Sequence, residues 1–229
     1  LEAELTRFAA RSLKIGSFSA ASNVTGVKTD THRVAKLLHA HGAVSLWDYA
    51  AAAPYVAIDM NPAGDALAAK DAVFISPHKL VGGPGTPGML VVKRHLMTNS
   101  VPAMPGGGTV LYVNPQAHTF IAHPQRREEG GTPAIVEAIR AGLVFKLQQD
   151  VGIAKIEAKE RDFRARALAR WQDNPAIEVL GNTANDSLSI FSLRLKCKTA
   201  NGMRDLHYGF VVALLNDLFG IQARGGCSC

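Results

Sequence analysis

The chain has 229 residues, of which 25 are Lys or Arg and 19 are Asp or Glu, so its formal net charge is +6. Hydrophobic residues make up 47% and charged residues 19%, a balance that is typical of globular proteins and excludes a disordered or fibrous chain. A chain of this length buries a core without disulfides, and three cysteines do not make a disulfide framework. We therefore expect a reduced, cytoplasmic compartment.

The sequence predicts neither a membrane span nor a nucleic-acid surface. Its longest uncharged apolar stretch, residues 49–58, is shorter than the ~20 residues that a membrane helix needs, and no signal sequence opens the chain. Because the first residue is Leu1, we expect a fragment or a processed chain. The densest basic group alternates with acidic residues at helical spacing, which indicates a solvated helix face rather than a phosphate-binding stripe. Its members are Arg161, Arg164, Arg166 and Arg170.

Helices and strands alternate through the first part of the chain. Apolar spacing predicts a helix over residues 1–11, and Asp30 is placed to cap a second helix that runs to His41. Short apolar runs predict strands at residues 15–21, 43–47, 72–75 and 89–93. This alternation predicts an α/β fold with a largely parallel sheet, in which ligands bind beyond the carboxyl ends of the strands. The polar residues that follow three of these strands are Asn23, Asp48 and Lys79.

The rest of the chain has a different pattern. Residues 97–127 lack regular apolar spacing and contain several Pro and Gly, so we predict a long functional loop or excursion. A helix is predicted over residues 133–149. After residue 150 the pattern indicates a second, smaller α/β unit. Its predicted elements are a helix from 152 to 171, strands near 177–180 and 188–195, a helix over 205–218 and a strand over 221–223.

Two motif matches are rejected as binding sites. Gly83, Gly85 and Gly88 match the dinucleotide-binding spacing, but prolines interrupt them and a strand follows where that motif needs a helix. We predict a tight connection instead. His39 and His41 lie two apart on a predicted helix and point to different faces, so we predict structural or surface histidines and no metal site.

The carboxylate and the amine that follow two apolar strands, Asp48 and Lys79, match the needs of pyridoxal 5'-phosphate. An amine forms a Schiff base with the cofactor's aldehyde, and a carboxylate keeps the pyridinium nitrogen protonated so that the ring accepts electrons. Each residue also has a simpler explanation, since a carboxylate often caps a strand end and a loop lysine is usually exposed to solvent. Spacing alone leaves both interpretations open.

Five motifs, in one order along nearly the whole chain, resemble the class V aminotransferase family of fold-type-I enzymes. They are SNVTG at 22–26, HGA through DYA at 41–50, SPHK at 76–79, GGTP at 130–133 and GIQARGGCSC at 220–229. The resemblance is greatest to the cysteine desulfurase and selenocysteine lyase branch. It implies a three-layer α/β fold, with a mostly parallel sheet flanked by helices, and pyridoxal phosphate as cofactor.

The resemblance also implies a role for each residue of the cofactor site. Lys79 would be the Schiff-base lysine, and Asp48 would hold the pyridinium nitrogen. Ser76 and His78 would contact the cofactor phosphate, which suits convergent hydrogen-bond donors. Ser76 alternatively begins a turn with Pro77.

Further roles that the resemblance implies concern the substrate and a second subunit. Asn23 would lie beside the ring oxygen and the substrate carboxylate, and Arg224 would line the substrate side. Thr132 would reach the phosphate of a neighbouring subunit, which makes the protein a homodimer, or it caps the following helix. Cys229 falls where the desulfurase branch has its sulfur-accepting cysteine. The alternative is that it is an inert thiol like Cys227.

The chain departs from the family pattern in three ways. Ala51 stands where the family has a glutamine that donates to the ring oxygen, and Cys227 replaces the residue of the best-known members. Family members also have an earlier segment with a ring-stacking histidine and a later arginine for the substrate carboxylate. Residues 1–150 are therefore interpreted as the C-terminal portion of the large cofactor-binding domain, and residues 151–229 as a small domain that is incomplete at its end.

The expected reaction is that of a cysteine desulfurase acting on an amino-acid substrate. Lys79 would remove the Cα proton, and the Cys229 thiolate would attack the substrate sulfur to leave a persulfide and alanine. A sulfur-acceptor protein is then an expected partner. Two alternatives are transamination, which needs no thiol, and a non-catalytic fragment that serves as an interaction module.

Overall fold

Four strands form the main sheet, and their bounds are β1 Ile15–Ser19, β2 Val44–Asp48, β3 Ala72–Ile75 and β4 Met89–Val92. The structure is a computed structural model that describes residues 1–226 of the chain. Strands β1, β2 and β3 run parallel in that order, and β4 pairs antiparallel with β3. The predicted α/β fold with a mostly parallel sheet is confirmed.

Two helices belong to this part of the chain, α1 at Glu2–Arg7 and α2 at Thr31–Ala40. Asp30 caps α2 as predicted, because its carboxylate accepts a hydrogen bond from the Arg33 backbone N–H at 3.0 Å. Helix α1 is shorter than the sequence predicts. Its last residue is Arg7. The next residue, Phe8, still donates its backbone N–H to a helical carbonyl, but its φ of −103° lies outside the helical range.

The core of the sheet centres on Trp47, whose side chain is completely buried. Its Nε1–H donates to the Ser45 hydroxyl at 2.7 Å, so the indole is buried without an unsatisfied donor. The ring of Phe18 on β1 packs at a centroid distance of 6.1 Å. Val73 on β3 and Ala35 on α2 belong to the same buried cluster. Burial of one such large side chain contributes on the order of 2 kcal/mol.

The connection between β3 and β4 is tight, as predicted, and has no dinucleotide-binding geometry. Strand β4 follows the glycine motif directly, with no helix between them. A Cβ at Gly83 would overlap the carbonyl oxygen of Pro77, so only glycine fits. Gly85 has a φ of +85°, which side-chain-bearing residues rarely adopt.

Residues 97–127, predicted as a long functional loop or excursion, are not a loop throughout. The segment contains a hairpin of β5 Val110–Val113 and β6 His118–Phe120, followed by helix α3 at Pro124–Glu128. Asn114 determines the hairpin turn, because its side-chain oxygen accepts hydrogen bonds from two backbone N–H groups at 2.6 and 2.9 Å. These strands are too short to give a clear alternating pattern in the sequence.

Two long helices follow, α4 at Ile135–Val151 and α5 at Ile153–Trp171. Gly152, with a φ of +89°, separates them and lets the chain change direction. Helix α5 matches its prediction closely. Helix α4 begins two residues later than predicted, at an N-cap that is Ala134 and has no side-chain cap. Thr132 therefore does not cap α4, and that alternative is wrong.

A second sheet and a last helix complete the described chain. Their bounds are β7 Ile177–Val179, β8 Leu193–Thr199, β9 Gly202–Asp205 and α6 Tyr208–Phe219. All three strands pair antiparallel in the order β7-β8-β9. The strand predicted at 188–195 begins only at Leu193, because the preceding residues pair with the first part of the chain. Strand β9 was not predicted, and the strand predicted at 221–223 is not present.

The exposed face of α5 carries ion pairs, as its alternating charges predict. Arg161 lies 3.9 Å from Glu157, and Arg166 lies 3.7 Å from Asp162, each one helical turn away. Ion pairs of this kind give the arginines partners on their own helix, and each contributes little to the free energy of unfolding. Within residues 1–226 no helix is both long and apolar enough to cross a membrane.

A histidine and an aspartate connect α2 to the amino end of the sheet. His39 Nε2 lies 2.9 Å from Asp71, and His39 Nδ1 lies 2.7 Å from the Leu67 carbonyl oxygen. Both bonds form together only when the ring carries both protons. Asp71 also accepts the Ser45 backbone N–H at 2.9 Å. The prediction of a structural histidine is thus confirmed for His39.

Replacing Asp71 with Asn should reduce the free energy of unfolding by about 1–3 kcal/mol near neutral pH. The buried carboxylate accepts from the His39 ring and from the Ser45 N–H, and the amide oxygen of Asn is a weaker acceptor for both. Burial alone raises the pKa of Asp71, but hydrogen bonds from His39 and the Ser45 N–H, with attraction by His39 and Lys93, outweigh it and lower the pKa. Because the pKa of Asp71 is lower in the folded than in the unfolded chain, the ionised carboxylate stabilises the fold. This contribution is fully present above the unfolded-state pKa of about 3.9 and is lost as the pH falls below that value.

Urea unfolding at several pH values between about 3 and 6 checks this prediction. The difference in unfolding free energy between wild type and Asp71→Asn should shrink as the pH falls, since Asp71 is the one acidic group that titrates in the wild type and is missing from the variant. Asp173→Asn, at an exposed position, is the control. A difference that stays constant through this range would contradict the assignment.

Candidate active site

Three polar segments meet at one edge of the main sheet because β1, β2 and β3 are parallel. The turn that contains Asn23 follows β1, Asp48 ends β2, and the segment from Ser76 to Lys79 follows β3. The register pairs Ser19 with Asp48 and Asp48 with Phe74, so the three strands end at the same level. The structure therefore brings these predicted residues to a single edge, where α/β sheets bind ligands.

Lys79 lies on a short 3₁₀ turn, Pro77–Lys79, that follows β3 directly. The turn is anchored by two buried residues, Pro77 and Leu80, whereas His78 and Lys79 are exposed. Ser76 occupies the N-cap position without a side-chain capping bond, and its carbonyl accepts the Lys79 N–H at 3.0 Å. The alternative in which Ser76 begins a turn with Pro77 is thus correct, and it is compatible with a ligand contact from the Ser76 hydroxyl.

Asp48 is exposed at the end of β2, and its carboxylate accepts the Ala50 backbone N–H at 2.6 Å. This bond orients the side chain, so the predicted capping function is present and leaves the second oxygen for another partner. The next residue, Tyr49, continues the sheet through a hydrogen bond from its N–H to the Phe74 carbonyl at 2.8 Å. Burial is the main reason that the pKa of Tyr49 is raised, so its hydroxyl stays protonated.

Asn23 lies exposed at the tip of the turn after β1. The Ser22 hydroxyl accepts hydrogen bonds from the Val24 and Thr25 N–H groups, both at 3.1 Å, which closes the turn. The Gly26 N–H bonds to the Ser22 carbonyl at 2.9 Å. Two consecutive closing interactions leave the tip little freedom to move.

Thr132 follows the hairpin and α3 in the chain, and we call residues 97–132, which contain these elements, the hairpin lobe. The Gly131 N–H donates to the Gly107 carbonyl at 2.7 Å, which fixes the backbone next to Thr132. Glu128 supports the same lobe, because its carboxylate accepts from Asn99 at 2.6 Å and from the Ala103 N–H at 3.0 Å. In the described part of the chain no hydrogen bond joins Thr132 to the sheet edge.

Arg224 follows α6 and lines a cavity of about 690 Å³ between β8 and α6. Val24, the neighbour of Asn23, also lines this cavity, so the Arg224 segment and the Asn23 turn border the same space. The other predicted residue of this region, Cys229, lies outside the described residues.

The family model for Aminotransferase class-V matches residues 2–229, which is almost the whole chain. The chain belongs to the class V aminotransferase family. This confirms the resemblance that the five motifs indicate, and with it pyridoxal phosphate as the cofactor of the family. The relatives and the solved structure described next include cysteine desulfurases, which agrees with the branch that the motifs indicate.

Curated relatives of this aminotransferase-family chain carry the name cysteine desulfurase. A probable cysteine desulfurase of Halalkalibacterium halodurans is 30% identical over 216 residues, which are 94% of this chain and 49% of the relative. A cysteine desulfurase of Dickeya dadantii is 29% identical over 210 residues, which are 91% of this chain and 46% of the relative. The chain thus spans about half the length of the curated relatives it matches.

Solved structures agree with the family assignment. The cysteine desulfurase CsdA from Escherichia coli has a TM-score of 0.74 and 26% identity, covering 92% of this chain and 48% of its own. The apo cysteine desulfurase from Thermococcus onnurineus has a TM-score of 0.70 at 21% identity, covering 94% of this chain and 50% of its own. The second likeness supports the fold alone.

The side chains at the sheet edge fit pyridoxal phosphate by their chemistry. An exposed primary amine, a carboxylate, a hydroxyl and an imidazole lie there, at Lys79, Asp48, Ser76 and His78. These groups are the ones that an aldehyde, a pyridine nitrogen and a phosphate require. Among the described residues no group of three or more His, Cys, Asp or Glu could hold a metal ion.

The sequence analysis missed the residues that hold the segments of the site in place without being part of the site. Ser22 stands in the sequence analysis only as part of a motif, although a serine followed by an asparagine and, four positions on, a glycine is a recognisable turn signal. Glu128 and Ser192 gave no signal, because their partners lie 25 and 168 residues away in the sequence. Only the folded chain identifies such long-range contacts.

Proposed function

We propose that the protein is a pyridoxal-phosphate enzyme that removes sulfur from L-cysteine to give alanine and a persulfide on Cys229. The main support is the meeting of Lys79 and Asp48 at one sheet edge in a chain similar to cysteine desulfurases. In this proposal residues 1–150 are part of the large cofactor-binding domain. Residues 151–229 belong to the small domain.

Lys79 and Asp48 have complementary tasks in this proposal. Bound pyridoxal phosphate supplies an aldehyde that condenses with amines and a ring that accepts electrons. Lys79 provides the amine that holds the cofactor, and once substrate replaces it there, the same amine takes the Cα proton. Asp48 keeps the ring nitrogen protonated, since its carboxylate is already oriented by Ala50.

The remaining residues bind and orient. Ser76 and His78 contact the phosphate from the turn after β3, and Thr132 contacts the phosphate of a second subunit. Asn23 donates to the ring oxygen and to the substrate carboxylate. Arg224 attracts the same carboxylate from the cavity wall.

Sulfur transfer takes place at Cys229. Its thiolate attacks the substrate sulfur and forms a sulfur–sulfur bond while the carbon–sulfur bond breaks. The electron pair of the broken bond goes to the substrate carbon, which gains a proton. Lys79 returns to Cα the proton that it took, and alanine leaves. A sulfur-acceptor protein then takes the persulfide sulfur, and a cytoplasmic location keeps the thiols of Cys229 and Cys197 reduced.

Replacing Lys79 with Ala should abolish covalent attachment of the cofactor, because no amine remains at this turn to condense with the aldehyde. Borohydride reduction of the protein with pyridoxal phosphate, followed by peptide mapping, measures the attachment. Lys146→Ala is the control, since Lys146 is exposed and pairs only with Asp150 on its own helix. Equal labelling of wild type and Lys79→Ala would refute the assignment.

Replacing Cys229 with Ser should lower sulfide release from L-cysteine at least about 100-fold, because a hydroxyl does not accept the sulfur. Labelling at Lys79 should remain, since the cofactor is held elsewhere. Cys227→Ser, two residues away, is the matched control and should keep its activity. Turnover of amino acids that survives Cys229→Ser would favour transamination instead.

A homodimer is part of the proposal. Helix α4, which follows Thr132, exposes large apolar side chains on one surface, with Ile139 62% and Leu143 64% exposed. Exposed apolar residues in such number are typical of a surface that another chain covers.

Replacing Leu143 with Glu should therefore halve the mass in solution, to about that of one chain, because a charge at a covered apolar surface is costly. Size-exclusion chromatography with light scattering measures the mass. Leu13→Glu is the control, as Leu13 is also exposed, at 67%, but lies in the loop after α1. A wild type that is already monomeric would contradict the dimer.

A further inference from the structure

A segment of the second part of the chain, residues 186–192, runs along the Asn23 turn. The Lys28 N–H donates to the Asp186 carbonyl at 2.9 Å, and the Leu188 N–H donates to the Gly26 carbonyl at 2.8 Å. The Lys28 ammonium also pairs with the Asp186 carboxylate at 2.6 Å. The turn is thus bonded to a segment more than 150 residues later in the sequence.

One side-chain bond in this contact reaches the residue next to Asn23. The Ser192 hydroxyl donates to the Val24 carbonyl at 2.5 Å, a short and partly buried hydrogen bond. Val24 and Ser192 also line the cavity that Arg224 borders. The bond therefore lies where the Asn23 turn meets the proposed substrate space.

Close packing at Gly26 shows how tightly the segment and the turn fit. Gly26 has a φ of +73°, and a Cβ there would lie 2.6 Å from the Leu188 carbonyl oxygen and 2.9 Å from that of Ile190. Both approaches are shorter than real Cβ contacts, so a side chain would push the segment away from the turn.

The segment itself is held by the rest of the fold and is rigid enough to support the turn. Leu188 is 4% exposed and belongs to the core of the main sheet. The Ser189 hydroxyl donates to the Glu160 carbonyl of α5 at 2.7 Å, and Arg164 donates to the Leu188 carbonyl at 3.3 Å. The segment thus has several attachments to α5 and to the core, so the loss of one of them leaves it in place.

We propose that Ser192 is a positioning residue that fixes Asn23 toward the substrate carboxylate by bonding to Val24. This inference rests on the proposed function, because Asn23 is assigned to the substrate there. Ser192 does not itself contact the substrate. It acts through the backbone of the turn. Because the Ser22 hydroxyl closes this turn by bonding to the Val24 and Thr25 N–H groups, holding Val24 in place also holds Asn23 in place.

The test compares Ser192→Ala with Ser189→Ala in the full chain. Both changes remove one hydroxyl of the same segment that donates to a backbone carbonyl, but only the Ser192 bond reaches the Asn23 turn. Loss of one such bond should raise the KM for L-cysteine about threefold to tenfold in Ser192→Ala, with a smaller change in kcat. Ser189→Ala should keep the wild-type KM.

The pattern of kinetic change separates positioning from a general loss of structure. A variant that merely folds less completely has fewer active molecules, which lowers the apparent kcat and leaves KM unchanged. A lower kcat at wild-type KM in Ser192→Ala would therefore overturn the proposal. An equal rise of KM in Ser189→Ala would overturn it as well.

A second measurement does not depend on the reaction. Hydrogen exchange of the peptide that covers residues 20–28, without cofactor, should be faster in Ser192→Ala and unchanged in Ser189→Ala. If the wild type does not act on L-cysteine, the proposed function fails, but the exchange result still decides whether Ser192 holds the turn. Equal exchange in wild type and Ser192→Ala would overturn the inference.

A pair of glycine variants repeats the comparison by a different route. Gly26→Ala and Gly64→Ala both place a side chain at positive φ, at +73° and +78°, but only Gly26 faces the segment. Exchange of residues 20–28 should rise in Gly26→Ala only. A rise of similar size in Gly64→Ala would show that a general loss of stability, rather than the contact, is responsible, and would overturn the inference.

Discussion

Parallel pairing of β1, β2 and β3 is the constraint on which the proposed site depends. Parallel strands all end at one edge, so the three segments that follow them meet there even though they are separated in sequence. The completely buried Trp47 packs against Phe18 and Val73 and fixes the strands relative to one another. A shift of one residue in this register would turn Trp47 toward solvent, so the core and the site share the same register.

The charged residues at the two ends of the main sheet lie in different environments. At the amino end, Asp71 is satisfied by His39 and the Ser45 N–H, and its charge stabilises the fold. At the carboxyl end Asp48 and Lys79 are exposed. The Asp48 carboxylate accepts one hydrogen bond, from the Ala50 N–H, and Lys79 donates through its backbone N–H, so in the proposed site both charged groups stay accessible to a ligand. Buried charges need partners within the protein, whereas exposed ones are able to exchange partners with a ligand.

The site is also assembled from both parts of the chain. Segment 186–192 is not a strand of the second sheet, because its backbone bonds are used to hold the turn that carries Asn23. In a similar way Glu128 holds the lobe that carries Thr132, through Asn99 and Ala103. Residues with no chemical role of their own thereby decide where the chemical groups lie, which is general for preorganised sites.

The sequence by itself determined the fold class, the family and most of the first sheet. Its apolar runs and the Asp30 cap depend on local interactions, which a short stretch of residues encodes. The hairpin at Val110–Phe120, the true start of β8 and the contact of Ser192 with Val24 were decided only by the tertiary structure. The hairpin strands are too short to show an alternating pattern in the sequence. The start of β8 and the Ser192 contact depend on partners far along the chain, and the energy of such contacts exists only once the chain is folded.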